Sequence, residues 1–236
     1  MASQLGGVIA IEVDDMFTVG HRFHHDQMSQ LRKKCTFGKY VRLRDEPQGA
    51  SFNGRKIQQY ADGSSRIDMQ KFIEERLRPV VLEKGRLANK KSFANECEVS
   101  MARATCGALN WLSEGSRLDA AGPSSLMASK LSRLTIEDIV SLNAVVKNLK
   151  DNSHVSILIQ PLQHMKLSKV TDASFASRDY HSQGGQILLA HEEGLKDGHA
   201  VPTKVLGWRS GKLHRVVNST LAAETQSLSR GLGDLV

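Results

Sequence analysis

Aromatic residues are scarce in this chain, at 5%, and it holds only five prolines and three cysteines. With so few rings, any core must rest on aliphatic packing. The cysteines (Cys35, Cys97 and Cys106) are odd in number and lack metal-ligand spacing, which argues against both a disulfide framework and a cysteine zinc finger. Reduced thiols in an intracellular compartment, cytoplasmic or nuclear and not secreted, are the expectation. No apolar run approaches the ~20 residues that a membrane span needs, so no membrane partner is expected. The apolar run from Gly7 is cut at Asp14 and has no basic lead-in, unlike a secretory signal. Internal repeats and low-complexity tracts are missing as well.

What the chain does have is length and positive charge. Its 236 residues, 40% of them hydrophobic, suffice for one large domain or two modest ones with real cores. Thirty-two Lys+Arg against 25 Asp+Glu leave a formal charge of +7, which suits a polyanionic partner because phosphate contacts release counterions. The cations concentrate in Arg32-Lys33-Lys34, at the end of a short helix predicted from Gln27 to Cys35. They recur in Tyr40-Val41-Arg42-Leu43-Arg44, whose alternation predicts a half-buried strand with a positive outer face. Arg32, Lys33, Lys34, Arg42 and Arg44 are thus candidate phosphate contacts, and equally a solvated basic face. His21, His24 and His25 have no second Cys/His pair at finger-like spacing, so a polar helix start is the simpler reading.

Acidic residues define the other candidates. Gly7 to Gly20 is an apolar, β-branched run, then Asp14-Asp15, then a second apolar run, the pattern of a β-hairpin tipped by two carboxylates. Paired carboxylates can hold divalent cations, and two cations about 4 Å apart clamp the oxygens of a phosphoryl transfer. A plain exposed turn fits the same residues. Further on, the Pro47-Gln48-Gly49 turn leads to the stretch from Ala50 to Tyr60, a hairpin turn is expected at Ala61 to Ser64, a short strand runs into Asp68, and a helix behind it would bury Met69, Phe72, Ile73 and Leu77. The basic segment Glu83 to Ser92 reads as a linker.

A helix over Glu96 to Ser113 would bury Met101, Ala104, Ala108 and Leu112, and Gly115 to Ser125, with Gly122-Pro123, reads as a turn. Met127 to Leu134 allows another turn or two of helix. Thr135 opens a capped helix with Asp138 in the capping-box position and a stripe of Ile139, Leu142, Val146 and Leu149. Strands are expected over Val155–Ile159, Lys166–Ser174, Gly185–His191 and Thr203–Arg209, then a helix from Thr220 to Leu228. The fold class is therefore α+β, with the shift from helix-rich to strand-rich sequence near Asn152 to Gln160. In this part Asp172 sits on a strand and Glu224 on a helix, a pair that could converge on cations or remain a surface Asp and a solvated Glu.

The C-terminal residues resemble a known family. Asp172-Ala173-Ser174-Phe175-Ala176 is similar to the Asp-Ala-Asp-Trp-Ala opening of the ribonuclease H of copia-type retrotransposons, and Gly184-Gly185-Gln186-Ile187-Leu188-Leu189 to its next strand. Gly207-Trp208-Arg209-Ser210-Gly211-Lys212 resembles Ser-Trp-Ser-Ser-Lys-Lys, and Val217 to Glu224 resembles Ser-Arg-Ser-Ser-Ala-Glu-Ala-Glu. Upstream, Val13-Asp14-Asp15-Met16 resembles the Tyr-Val-Asp-Asp motif of the reverse-transcriptase palm, and Phe52 to Ile57 the Phe-Leu-Gly-Ile-Glu-Ile strand. Arg103 to Leu112 resembles the Tyr-Arg-x-x-x-Gly-x-Leu-x-Tyr-Leu helix, and Ser116-Arg117-Leu118-Asp119 stands where the family has Thr-Arg-Pro-Asp.

The resemblance implies three regions. Residues 1–82 would be late palm with the Val-Asp-Asp hairpin, 83–154 a helical connection, and 155–236 an incomplete ribonuclease H-like mixed sheet with helix. In the intact Pol polyprotein, Asp14 and Asp15 would bind Mg²⁺ (or Mn²⁺) for nucleotide addition, and Asp172 and Glu224 the ions that cut RNA in an RNA–DNA hybrid. The family's upstream third carboxylate and its later catalytic aspartate have no counterpart, and Glu12 replaces the motif's tyrosine. Glu12 would share a strand face with Asp14, and Glu192 or Glu193 is a candidate intermediate carboxylate. The expectation is a reverse transcriptase/ribonuclease H fragment inactive by itself, needing the remainder of the polyprotein. The alternative is a non-catalytic basic module binding RNA, DNA or their hybrid. A third reading is a partner-bound or unfolded remnant with an open sheet edge.

Overall fold

The computed structural model describes residues 6–178, 181–213 and 215–233, so the ends of the expected 1–82 and 155–236 regions lie outside the described residues. It has the expected α+β character, with helices and several antiparallel sheets. Its two compact units are Met1–Ile67 and Asp68–Val236.

In the first unit, β1 (Gly7–Glu12) and β2 (Asp15–Gly20) form the expected hairpin, with Gly7 opposite Gly20 and Glu12 opposite Asp15. Helix α1 (Arg22–Lys34) begins well before the predicted Gln27, because His21 caps it: Nδ1 of His21 accepts from the Phe23 amide at 3.2 Å. His24 and Met28, one turn apart, are its buried residues. The His24 ring occupies the space above the glycine pair. A Cβ added at Gly7 or Gly20 would lie 2.3 or 2.5 Å from His24 Cγ, and the Thr18 hydroxyl hydrogen-bonds His24 Nε2. Two glycines facing each other across the hairpin therefore make room for a histidine.

Two expectations fail here for local reasons. Residues 40–44 form no strand. Val41 and Leu43 offer too little apolar face to hold one, and the chain makes a 3-10 turn over Leu43–Asp45, with the Asp45 amide donating to the Arg42 carbonyl at 2.9 Å. Phe52 to Ile57, one strand in the family resemblance, instead turns back within a hairpin of β3 (Ala50–Phe52) and β4 (Arg55–Gln59). Asn53 and Gly54 both have positive φ, 46° and 69°, the requirement of a type I′ turn. Strand β5 (Ser65–Asp68) lies next to β4.

The second unit has a helical core. Asp68 accepts from the Gln70 amide at the start of α2 (Gln70–Glu75), and Met69, Ile73 and Leu77 are buried as expected. Helix α3 (Glu96–Gly115) carries a complete capping box between Asn95 and Glu98. Its buried face is Ala102, Thr105, Cys106, Leu109 and Leu112, not the line through Met101, Ala104 and Ala108. Thr105 can face the core because its hydroxyl donates to the Arg78 and Met101 carbonyls. The expected turn over 115–125 is partly helical, since α4 (Ala121–Ala128) begins with Pro123 in its first turn, where a missing amide costs nothing. Helix α5 (Ile136–Asp151) has the Thr135–Asp138 capping box, and Ile139, Leu142, Val146 and Leu149 are buried as expected.

After β6 (Ile157–Ile159) come β7 (Lys166–Arg178), β8 (His181–His191) and β9 (Thr203–Lys212), an antiparallel sheet in that order. Helix α6 (Thr220–Gly233) covers one face, packing Ala223 with Ala173 and Leu213. The other face meets the helical core. There Gln183 Nε2 donates to Ser125 Oγ at 2.9 Å, and Trp208 Nε1 donates to the Ser113 carbonyl at 2.6 Å.

Candidate functional site

The hairpin tip holds Asp14 and Asp15 in the open. Both are exposed, as is Glu12. The turn itself is Val13-Asp14, with Val13 at φ 53° and 95% exposed. Because β1 ends at Glu12, that residue is the cross-strand partner of Asp15 and does not share a strand face with Asp14, as strict alternation would predict. Two carboxylates directly opposite repel each other. A β-branched residue in the left-handed region adds strain at the same place.

Asp172 and Glu224 belong to adjoining elements but different sides of a strand layer. Ala173 packs against Ala223 of α6, and a Cβ at Gly231 of α6 would come within 2.7 Å of Thr171 Cγ2. Thr171 and Ala173 therefore face the helix, and the strand's alternation turns the exposed Asp172 to the opposite face. Helix α6 touches Asp172 through the backbone only in the bond that Ser227 Oγ donates to its carbonyl at 3.0 Å. Glu224, half-buried, rides on the helix itself. The facing strand position opposite Asp172 is Gly185, and beyond it Ser210, so neither neighbour adds a carboxylate.

The two intermediate candidates are engaged locally. Glu192 accepts from the Gln163 and His164 amides at 2.5 and 2.9 Å. Glu193 pairs with Lys166 at 3.0 Å, and that hydrogen bond holds its carboxyl below the usual range. Among the described residues no group of three or more His, Cys, Asp or Glu side chains could hold a metal ion. The carboxylates at hand thus make a poor fit to a two-cation centre.

Three of the five basic candidates come together, and Arg42 and Arg44 lie outside the pocket they line. Arg32, Lys33 and Lys34 fill the last turn of α1, and with Phe37, Gly38 and Tyr40 they line an open pocket of about 320 Å³. The Arg32 guanidinium lies 3.9 Å above the Tyr40 ring centroid. The neighbouring Tyr40 side chain raises the Arg42 pKa above its ordinary value. All five candidate cations are exposed, and no ion pair among the described residues engages Arg32, Lys33, Lys34 or Arg44. The sequence reading assigned Arg42 and Arg44 to a strand face and overlooked Tyr40 and Phe37. The available signal was aromatic residues interleaved with cations over 32–44.

No described helix is long and apolar enough to cross a membrane. No protein-family model matches the chain, and no curated protein or solved structure matches it either.

Proposed function

We propose that this chain is a non-catalytic, basic nucleic-acid-binding module descended from the reverse transcriptase–ribonuclease H part of a copia-type element. The observation that carries the binding role is the unpaired cationic turn Arg32-Lys33-Lys34, exposed beside Tyr40 and Arg42. Fixed cations without carboxylate partners keep their charge available for phosphates, and each phosphate contact releases counterions. The partner is RNA, DNA or an RNA–DNA hybrid. Descent is supported by the ordered motif resemblances from Val13-Asp14-Asp15 through Val217 to Glu224.

Binding of a labelled oligonucleotide across a salt series tests this reading. Affinity is expected to fall steeply with salt. Replacing Arg32, Lys33 and Lys34 together by alanine should reduce the log–log slope by roughly 2, at about 0.7 per phosphate on a single strand. An unchanged slope would remove the cluster from the interface.

The same motif order supports a second reading, that of a segment active when joined to the remainder of a Pol polyprotein. There Asp14, Asp15, Asp172 and Glu224 would serve Mg²⁺ or Mn²⁺. Cleavage of an RNA–DNA hybrid by the chain, blocked by EDTA and lost in Asp172→Asn, would establish that reading and displace the first. No cleavage alongside salt-sensitive binding is the outcome expected here.

A further inference from the structure

We infer that the pocket at the end of α1 receives an unstacked base, so that the module takes single-stranded nucleic acid in preference to duplex. This rests on the binding role proposed above and adds what the phosphate contacts cannot give, a reason to discriminate between strands. The three cations of the last turn also complement the negative end of the α1 dipole, which accounts for their charge. The dipole does not account for the rings beside them.

In a chain with three tyrosines and seven phenylalanines, Tyr40 and Phe37 both stand at the pocket, 44% and 36% exposed. Rings left in water next to unpaired cations form the pairing that single-strand binders use, a basic track for the backbone and a π-face for a base. Tyr40 is also held in advance. The Arg32 guanidinium covers one face of the ring. A ring already stacked on one face loses less freedom when a base stacks against the Arg32–Tyr40 pair. Gly38 narrows nothing, since an added Cβ would meet no atom within 4 Å, so the floor beside the ring is open. The pocket's volume, about 320 Å³, lies at the low end for small-ligand sites. No carboxylate lines it to repel a phosphate. Bases inside a duplex are stacked on their neighbours and cannot enter such a pocket, whereas a single strand can turn one out.

The experiment is fluorescence anisotropy on the full chain, at one salt concentration, with a short oligothymidylate, the corresponding dA·dT duplex, and inorganic polyphosphate as competitor. The single strand is expected to bind about ten-fold tighter than the duplex. Tyr40→Ala should weaken single-strand binding about ten-fold, the scale of one lost base stack, and leave duplex binding unchanged. Tyr40→Phe, which keeps the ring and its Arg32 contact and drops only the hydroxyl, should retain most of the preference. Because Tyr40 lies outside the hydrophobic core, both variants should fold, and circular dichroism should confirm an unchanged fold. Equal binding of single strand and duplex, or equal losses on both in Tyr40→Ala, would overturn the inference while leaving salt-sensitive nucleic-acid binding intact. So would displacement by polyphosphate as efficient as by unlabelled oligothymidylate. Failure of every probe to bind would overturn both the inference and the binding role beneath it.

Discussion

The two compact units divide labour in opposite ways. From Asp68 onward, an aliphatic core runs from Met69 and Ile73 through Leu109 and Leu112 to Ile139, Leu142 and Leu149, each at most 2% exposed. Up to Ile67, the described apolar side chains are mostly open, with Val8, Ile11 and Val19 more than half exposed and Met28 the buried one. The second unit buries one of its cations: Arg117 is 1% exposed and grips Asp119 with two nitrogens at 2.9 and 2.7 Å and the Asn152 carbonyl at 2.8 Å. The first unit leaves Arg32, Lys33 and Lys34 facing solvent. Buried apolar area makes a scaffold, and unspent charge is what the proposed interface would use. Each unit is rich in one of them.

The sharpest way to break this comparison is to cut the scaffold's buried cation. Arg117→Ala should cost about 1.5–3 kcal/mol, the scale of a lost charge-assisted hydrogen bond and an orphaned carbonyl, since Asp119 keeps its contact with water, and lower the urea midpoint. Oligonucleotide affinity in the absence of denaturant should stay where it was. A loss of affinity in the folded variant would mean that the units do not divide as described.

Acid should act on the second unit through two carboxyls. Hydrogen bonding to Arg86 holds Glu98 below the usual range. Burial pushes Asp138 up, but the hydrogen bonds from Lys130 and Thr135 and the charge of Lys130 outweigh it, leaving that carboxyl lowered as well. Groups whose pKa is lower in the folded state give their full stabilisation above about pH 5, and lose it as pH falls through about 4 toward the folded values. The thermal midpoint should therefore drop below pH 5, and Asp138→Asn should start lower at pH 7 and drop less. An identical acid limb in the variant would clear Asp138 of the effect.

A smaller change would sharpen the first unit. Val13→Gly replaces a β-branched residue at positive φ and should stabilise the β1–β2 hairpin by about 1 kcal/mol, net of glycine's added freedom in the unfolded chain. Thermal unfolding checks it, and destabilisation would show that the valine is held by contacts worth more than its strain. The smallest perturbation is a label. Cys35 and Cys97 are exposed thiols and should react with a disulfide reagent in the native protein. Burial pushes the Cys106 thiol up to about 11, so it should react only when α3 opens.

The legible parts of the fold were those where local and tertiary demands agree. Thr135 and Asp138 cap a helix whose 3.6-residue stripe is also its core face, so α5 reads correctly from the sequence. The strands of the three-stranded sheet and α6 stand where β-branched runs and good helix formers place them. The misread parts had a competitor. On α3 a satisfied Thr105 outbid Met101 for the core, which hydrophobicity alone cannot foresee. Asn53-Gly54 carried a clear type I′ signal, overlooked because the flanking residues match a longer strand motif. At the candidate sites, sequence gave the cationic run but not the ring between Arg32 and Arg42, which depends on how the chain returns after α1. It likewise placed Asp172 on a strand without revealing the face, since that is set by which side α6 covers.

Composition made residues 83–92 look like a tether, yet the segment is sewn down. Arg86 binds Glu98 and the Phe93 carbonyl, while Ser92 and Lys90 carbonyls accept from the Ile136 and Glu137 amides at the start of α5. A protease that cuts at exposed Lys90 or Lys91 would therefore sever the chain without separating the pieces. The products should travel together through gel filtration as a nicked protein, their shared core acting as the bond that the peptide no longer supplies.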